Sequence, residues 1–236
     1  TEEKHSFVAK AKYGAGQISA PRELTVTALI TPTLTNVVDE AGKEVTDNGF
    51  TVSKTFTLSG QASASQEVEI FDGASSGAVS HGKASADAAT RWQKPITVDL
   101  GVRHFFARSL YHNGEVDSVA RSFTATVEVN PTIRSVEGSP SNVEIEDGGT
   151  TEDRTVTLTG TASNGLNVEI FDGVNTSGAA AVNPATGIWT CIVSDLSVGG
   201  HDFTAKALYG REQVSRPRTF EVIPKLDDLT TFTARE

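Results

Sequence analysis

Val68-Glu69-Ile70-Phe71-Asp72-Gly73 is written a second time in this chain, as Val168-Glu169-Ile170-Phe171-Asp172-Gly173. Each copy reads as a strand running into Asp-Gly, a dipeptide suited to a tight turn because glycine tolerates positive φ. The rhyme continues on both sides. Thr57-Leu58-Ser59-Gly60 returns as Thr157-Leu158-Thr159-Gly160, Ala62-Ser63 as Ala162-Ser163, and Trp92 as Trp189. Tyr13, Tyr111 and Tyr209 are 98 residues apart (111 − 13 and 209 − 111). A period of about a hundred residues is too long for a solenoid repeat and is the size of a small domain.

The period predicts a tandem array with complete modules at residues 30–129 and 130–224, each opening at a proline step (Pro32-Thr33-Leu34, Pro131-Thr132-Ile133). Ser19-Ala20-Pro21-Arg22-Glu23-Leu24-Thr25-Val26 is the twin of the closing Ser215-Arg216-Pro217-Arg218-Thr219-Phe220-Glu221-Val222. Residues 1–29 are therefore expected to be the last two strands of a truncated preceding module, with an apolar face (Phe7, Tyr13, Ile18, Leu24) that needs a partner sheet. Residues 225–236 read as a tail or the start of a further module. Short linkers carrying proline favour a semi-rigid rod.

Alternation, not helical spacing, dominates the modules. Phe203, Ala205, Ala207 and Tyr209 share one face of a strand, with Thr204, Lys206 and Leu208 on the other. The middle copy puts Phe105, Ala107, Ser109 and Tyr111 inward and Phe106, Arg108 and Leu110 outward. Lys10, Arg108 and Lys206 then hold one outward register, as surface cations. Short strands with frequent turn signals predict an all-β chain of tandem immunoglobulin-like β-sandwich domains. Pro95 cannot donate to a ladder, so an edge strand or bulge is expected there.

Thirty acidic against twenty basic residues leave a net charge of −10, which argues against nucleic acid or an anionic membrane as partner. No run approaches the roughly 20 apolar residues of a bilayer span, so membrane insertion is not expected. The opening Thr-Glu-Glu-Lys-His lacks the build of a signal peptide and suits a processed or excised piece. Cys191 is the only cysteine, which leaves no intramolecular disulfide and, inside Trp189-Thr190-Cys191-Ile192-Val193, predicts a buried inert thiol.

The ordered series Thr157-Leu158-Thr159-Gly160, Val168 to Gly173, Ala185-Thr186-Gly187-Ile188-Trp189-Thr190, Gly200-His201-Asp202-Phe203-Thr204-Ala205-Lys206-Ala207 and Val214-Ser215 resembles the bacterial immunoglobulin-like (Big-type) tandem repeats of large surface and secreted adhesins. The middle copy departs from that pattern at Thr90-Arg91-Trp92, which lacks the glycine before tryptophan, and at Arg103. The resemblance implies an extracellular, repetitive, non-enzymatic role at the bacterial cell surface. It does not identify a ligand, because spacer and binding repeats share the scaffold.

Catalytic chemistry finds no constellation. His5 and His201 align at a strand start where the middle copy has Arg103, a replacement no catalytic base survives. His104 and His112 have no cysteine or carboxylate at zinc-ligand spacing, and His81 stands alone. Asp72 and Asp172 are single turn carboxylates able to bond nearby amides, not a glycosidase pair. Glu69 and Glu169 are expected to face solvent. Trp92 and Trp189 sit between apolar residues and point to the cores. No catalytic, cofactor or metal residue is therefore expected. Calcium is the one ion the acidic loops could take, at Asp39, Glu40, Glu44 and Asp47 and at Glu144, Glu146, Asp147, Glu152 and Asp153, although the two sets do not look alike. The expected role is a structural spacer or stalk holding a distal binding domain away from the cell, with neighbouring repeats as partners. The alternatives are a module binding a host or surface protein or glycan, for instance through the divergent loop from Ser75 to Ala89, or an accessory array of a secreted enzyme.

Overall fold

The structure, a computed structural model, describes residues 3–26, 29–74, 76–111 and 116–225. Among them every regular element is a strand. Residues 226–236, His112 and Ser75 lie outside, and with them most of the expected tail.

The chain forms two compact units, built largely from two pairs of sheets. In the first pair, β3 (Asn36–Asp39), β5 (Thr55–Gln61) and β8 (Arg91–Thr97) make a three-stranded sheet in the order β3-β5-β8. Facing it, β4 (Gly49–Thr51), β6 (Glu67–Asp72), β7 (Val79–Ser85), β9 (Gly101–Ser109) and β10 (Arg121–Ala125) order as β4-β10-β9-β6-β7. The second pair has the same two orders. One sheet is β11-β13-β16, from β11 (Thr132–Ser139), β13 (Thr155–Thr161) and β16 (Ile188–Val193). The other is β12-β18-β17-β14-β15, from β12 (Gly149–Thr151), β14 (Asn167–Asp172), β15 (Asn175–Ala181), β17 (Gly199–Ala207) and β18 (Arg218–Val222). In both, the short strand after the first loop (β4, β12) runs parallel to the last strand. The all-β sandwich expected from alternation is the observed fold.

The duplicated hexapeptides are β6 and β14, lying between a hairpin partner and the long strand of the same sheet. Val68, Ile70, Val168 and Ile170 are buried, each contributing about 1.5–3 kcal/mol of transfer free energy relative to exposure. Trp92 and Trp189 are buried with them, as are Leu58 and Leu158. The repeated glycines have a steric cause. A Cβ on Gly60 would collide with the Thr33 carbonyl and the Trp92 ring, and one on Gly160 with the Thr132 carbonyl and the Trp189 ring. Pro95 lies on β8, the edge strand of its sheet, as a residue without an amide proton requires.

Phe106 departs from the alternation. It sits on the outward register yet is buried, because Phe71 stacks on it at 5.4 Å and the Arg108 guanidinium lies over both rings, at 5.0 and 5.5 Å. Arg108 is held there by two bonds to Asp117, of 2.7 and 2.8 Å. Lys206 occupies the same register and pairs with Glu212 at 2.7 Å. Both cations are outward but anchored, and their carboxylate partners raise both above their ordinary pKa. Glu69 and Glu169 are half-buried, accepting hydrogen bonds from Ser80 and Thr176 on the neighbouring strand.

β1 (Lys4–Phe7) and β2 (Arg22–Thr25) form a separate two-stranded antiparallel sheet.

Candidate functional site

Both sandwiches build one polar device, at the point where the chain enters them. In the first, the Ile30 amide donates to Ser63 Oγ at 2.8 Å, Tyr111 Oη donates to the Ile30 carbonyl at 2.7 Å, and the Ser63 amide donates to Tyr111 Oη at 3.2 Å. In the second, the Val129 amide donates to Ser163 Oγ at 2.7 Å, Tyr209 Oη to the Val129 carbonyl at 2.7 Å, and the Ser163 amide to Tyr209 Oη at 2.9 Å. Three bonds close a ring around one linker residue and satisfy both of its backbone groups. Ser63 and Ser163 are buried, so each bond forms where an unmet polar group is costly. Pro32 and Pro131 follow two residues on, also buried, and fix φ. The Tyr spacing and the Ala-Ser repeat are visible in the sequence. Their meeting is not, because Tyr209 is 46 residues from Ser163 and 80 from Val129.

A second pair of equivalent contacts ties the Asp-Gly turn to the start of the long strand. Asp72 Oδ1 accepts the His104 amide at 2.9 Å while its Oδ2 meets Arg103 Nη1 at 3.1 Å. Asp172 Oδ1 accepts the Asp202 amide at 2.9 Å while its Oδ2 meets His201 Nδ1 at 2.6 Å. These carboxylates bond amides of the adjacent strand, not of their own turn. His201 is buried and its Nε2 donates to the Ser197 carbonyl at 2.9 Å. The aligned Arg and His thus do one structural job at a strand start.

The acidic loops are more alike than their sequences suggest. Arg121 Nη2 donates to Glu44 and to the Val45 carbonyl, and Arg218 Nη2 donates to Glu144 and to the Ile145 carbonyl. Asp47 Oδ1 accepts the Ser122 amide at 2.7 Å, and Asp147 Oδ1 accepts the Thr219 amide at 2.8 Å and its hydroxyl at 3.0 Å. The Thr219 backbone amide, then its hydroxyl, hold Asp147 below the usual carboxylate range. Asp39 accepts the Ala41 and Lys43 amides, and buried Asp153 is bonded by Ser141. Glu40, Glu146 and Glu152 are exposed. The signal missed in sequence is the constant spacing of Glu44 and Asp47 to Glu144 and Asp147, with Arg121 recurring as Arg218.

Among the described residues no group of three or more His, Cys, Asp or Glu is placed to hold a metal ion. His104 Nδ1 lies 2.7 Å from Ser122 Oγ, and His81 Nε2 lies 4.0 Å from Asp72. Cys191 is buried and its burial pushes the thiol pKa up, which suits an inert group. A polar cleft of about 620 Å³ opens beside β5 and β8, lined by Asn36, Gln61, Asp87, Arg91 and Gln93 among others. No helix among the described residues is long and apolar enough to cross a membrane.

No family model and no curated protein matches the chain. Solved structures similar to it include fibronectin(III)-like modules of Clostridium thermocellum CbhA, 14% identical, spanning 87% of this chain and 100% of that one, with a TM-score of 0.40. The C-terminal domain of the Streptococcus agalactiae AgI/II polypeptide BspA is 10% identical, over 81% and 100%, with a TM-score of 0.34. The C-terminal domain of the Streptococcus pyogenes antigen I/II-family protein AspA is 10% identical, over 83% and 100%, with a TM-score of 0.33. Likeness at this level carries no function over.

Proposed function

We propose that this chain is a non-enzymatic spacer: a stalk segment of a large bacterial surface or secreted adhesin that holds a distal binding domain away from the cell. Residues 30–129 and 130–224 are its complete immunoglobulin-like modules, residues 1–29 close a preceding one, and neighbouring modules are the principal partners. The observation that carries the reading is the Tyr–Ser ring around the linker residue, built twice. A linker pinned by its own amide and carbonyl, with proline two residues on, has lost the freedom that a flexible tether needs. Such a device serves geometry rather than chemistry. Small-angle scattering tests it: a chain carrying one more copy of residues 130–224 is expected to scatter as a proportionately longer particle. A profile that stays compact as modules are added would sink the spacer.

The polar cleft lined by Asp87, Arg91, Gln61 and Gln93 is the feature a binding module would use for a host or surface protein or glycan. Saturable binding on a glycan array, lost on Arg91→Ala, would promote that reading. Calcium enters neither reading, and a thermal midpoint unchanged by chelator is the expected result.

A further inference from the structure

The hairpin of β1 and β2 is the β17–β18 hairpin displaced by a constant 196 residues. His5 pairs with Leu24 and Phe7 with Arg22, as His201 pairs with Phe220 and Phe203 with Arg218. The isolated bridge Lys10–Ile18 matches Lys206–Val214. Ala11 donates to the Gln17 carbonyl and Ser19 to the Ala9 carbonyl, as Ala207 does to Gln213 and Ser215 to Ala205. Even the serine hook returns. Ala9 donates to Ser19 Oγ at 2.9 Å, and that hydroxyl donates to the Ala20 carbonyl at 3.0 Å. The counterparts are Ala205 to Ser215 Oγ at 2.9 Å and Ser215 to the Arg216 carbonyl at 2.8 Å.

The backbone is the same, but the burial is reversed. Phe7 is 57% exposed and Tyr13 84%, against 0% for Phe203 and 7% for Tyr209. Leu24 and Val26 are likewise exposed where Phe220 and Val222 are buried. In the complete sandwich the long strand is covered from its other edge by β14, with Asp172 opposite Phe203, Ile170 opposite Ala205, Glu169 opposite Lys206 and Val168 opposite Ala207. Among the described residues β1 pairs only with β2.

We infer that the hairpin is an acceptor whose occupant is the first half of a module of this same kind, docking a Val-Glu-Ile-Phe-Asp-Gly strand antiparallel along residues 7–11, on the side away from β2. The offset sets the register: the aspartate falls opposite Phe7, the isoleucine opposite Ala9, the glutamate opposite Lys10 and the valine opposite Ala11. Charge agrees at two points. Lys10 falls opposite the glutamate as Lys206 stands opposite Glu169 across the ladder, and His5 meets the aspartate as His201 meets Asp172. Strand addition of this type takes affinity from the backbone ladder and specificity from alternate side chains. The same module half supplies the Trp189-type and Leu158-type residues that cover Phe7 and Leu24, and the buried serine and linker backbone that Tyr13 requires. The inference rests on the tandem reading only for the kind of partner.

The test is the full chain with a copy of residues 129–196 fused ahead of Thr1, because the offset puts Thr1 where Ser197 stands and the copy then carries the linker residue Val129. Backbone amide exchange along residues 7–11 is expected to slow by about tenfold or more, with Tyr13 shielded from an aqueous quencher. Lys10→Glu should reverse part of that protection, and Glu→Lys at the fused glutamate should restore it. A second fusion, with residues 30–98 at the offset of 98, guards against one added segment failing to fold. The inference is overturned if residues 7–11 exchange at their unfused rate in both chains while the sandwiches around Trp92 and Trp189 remain folded. It is also overturned if the unfused chain already dimerises with Tyr13 buried, which would make a second copy the occupant. Neither result alters the scattering test of the spacer.

Discussion

Tyr209 and Tyr13 occupy the same place in the same hairpin and are predicted to behave oppositely on losing one oxygen. Tyr209→Phe removes the donor to the Val129 carbonyl and the acceptor of the Ser163 amide. It leaves polar groups unmet and is expected to cost about 1–3 kcal/mol in denaturant unfolding. Tyr111→Phe should cost a similar amount. Tyr13→Phe, on an exposed ring, should stay within about 0.5 kcal/mol of the parent. Equal effects at Tyr13 and Tyr209 would refute the clamp. The 98-residue step made the tyrosines conspicuous. Which hydroxyl is engaged depends on whether the rest of a module surrounds it, and alternation in the strand carries no information about that.

At the scale of elements, the loops after β3 and β11 are latched to β10 and β18, strands of the other sheet of each pair, by a carboxylate on a backbone amide. Asp147 has its pKa depressed by Thr219, first through the amide. Its stabilising contribution is therefore present above the unfolded carboxylate value near 3.8 and is lost as pH falls through the lower folded value. Asp147→Asn should lower the thermal midpoint at neutral pH, and the gap to the parent should close in strong acid. A gap independent of pH would show that the latch does not depend on charge. In β13, Gly160→Ala places a methyl against the Thr132 carbonyl and the Trp189 ring. Overpacking of that kind costs about 1–3 kcal/mol or more, and calorimetry should show it. The sequence marked Gly160 by its return from Gly60. It could not show that both face a tryptophan across a strand pair, nor that Phe106, outward by alternation, is covered by Phe71 and Arg108.

For the whole molecule, the two tryptophans are natural reporters, one in each sandwich core. Leu158→Ala deletes a fully buried side chain from the core that also holds Trp189 and is expected to cost about 2–5 kcal/mol. In a Trp92→Phe background the remaining fluorescence should report the full loss. In a Trp189→Phe background the Trp92 transition should keep its parent midpoint if the modules fold as separate cooperative units. A shift of the same size in both reporters would show one cooperative unit instead of two.

The sequence alone determined the all-β class, the alternation of the repeated strands and the fact of copying, because side-chain period and internal identity are local properties that need no folded chain to be read. It also identified the hairpin of residues 1–29 as the twin of a closing hairpin. The tertiary structure alone decided what the repeated residues are for. Tyr111 and Tyr209 close rings on linker residues far away in sequence, Asp72 and Asp172 tie a turn to a strand start, and Glu44 and Glu144 prove equivalent through Arg121 and Arg218, which bind them alike. Hydrogen-bond partnership and burial are set by which segments meet in space, and that is settled only when the sheets face each other.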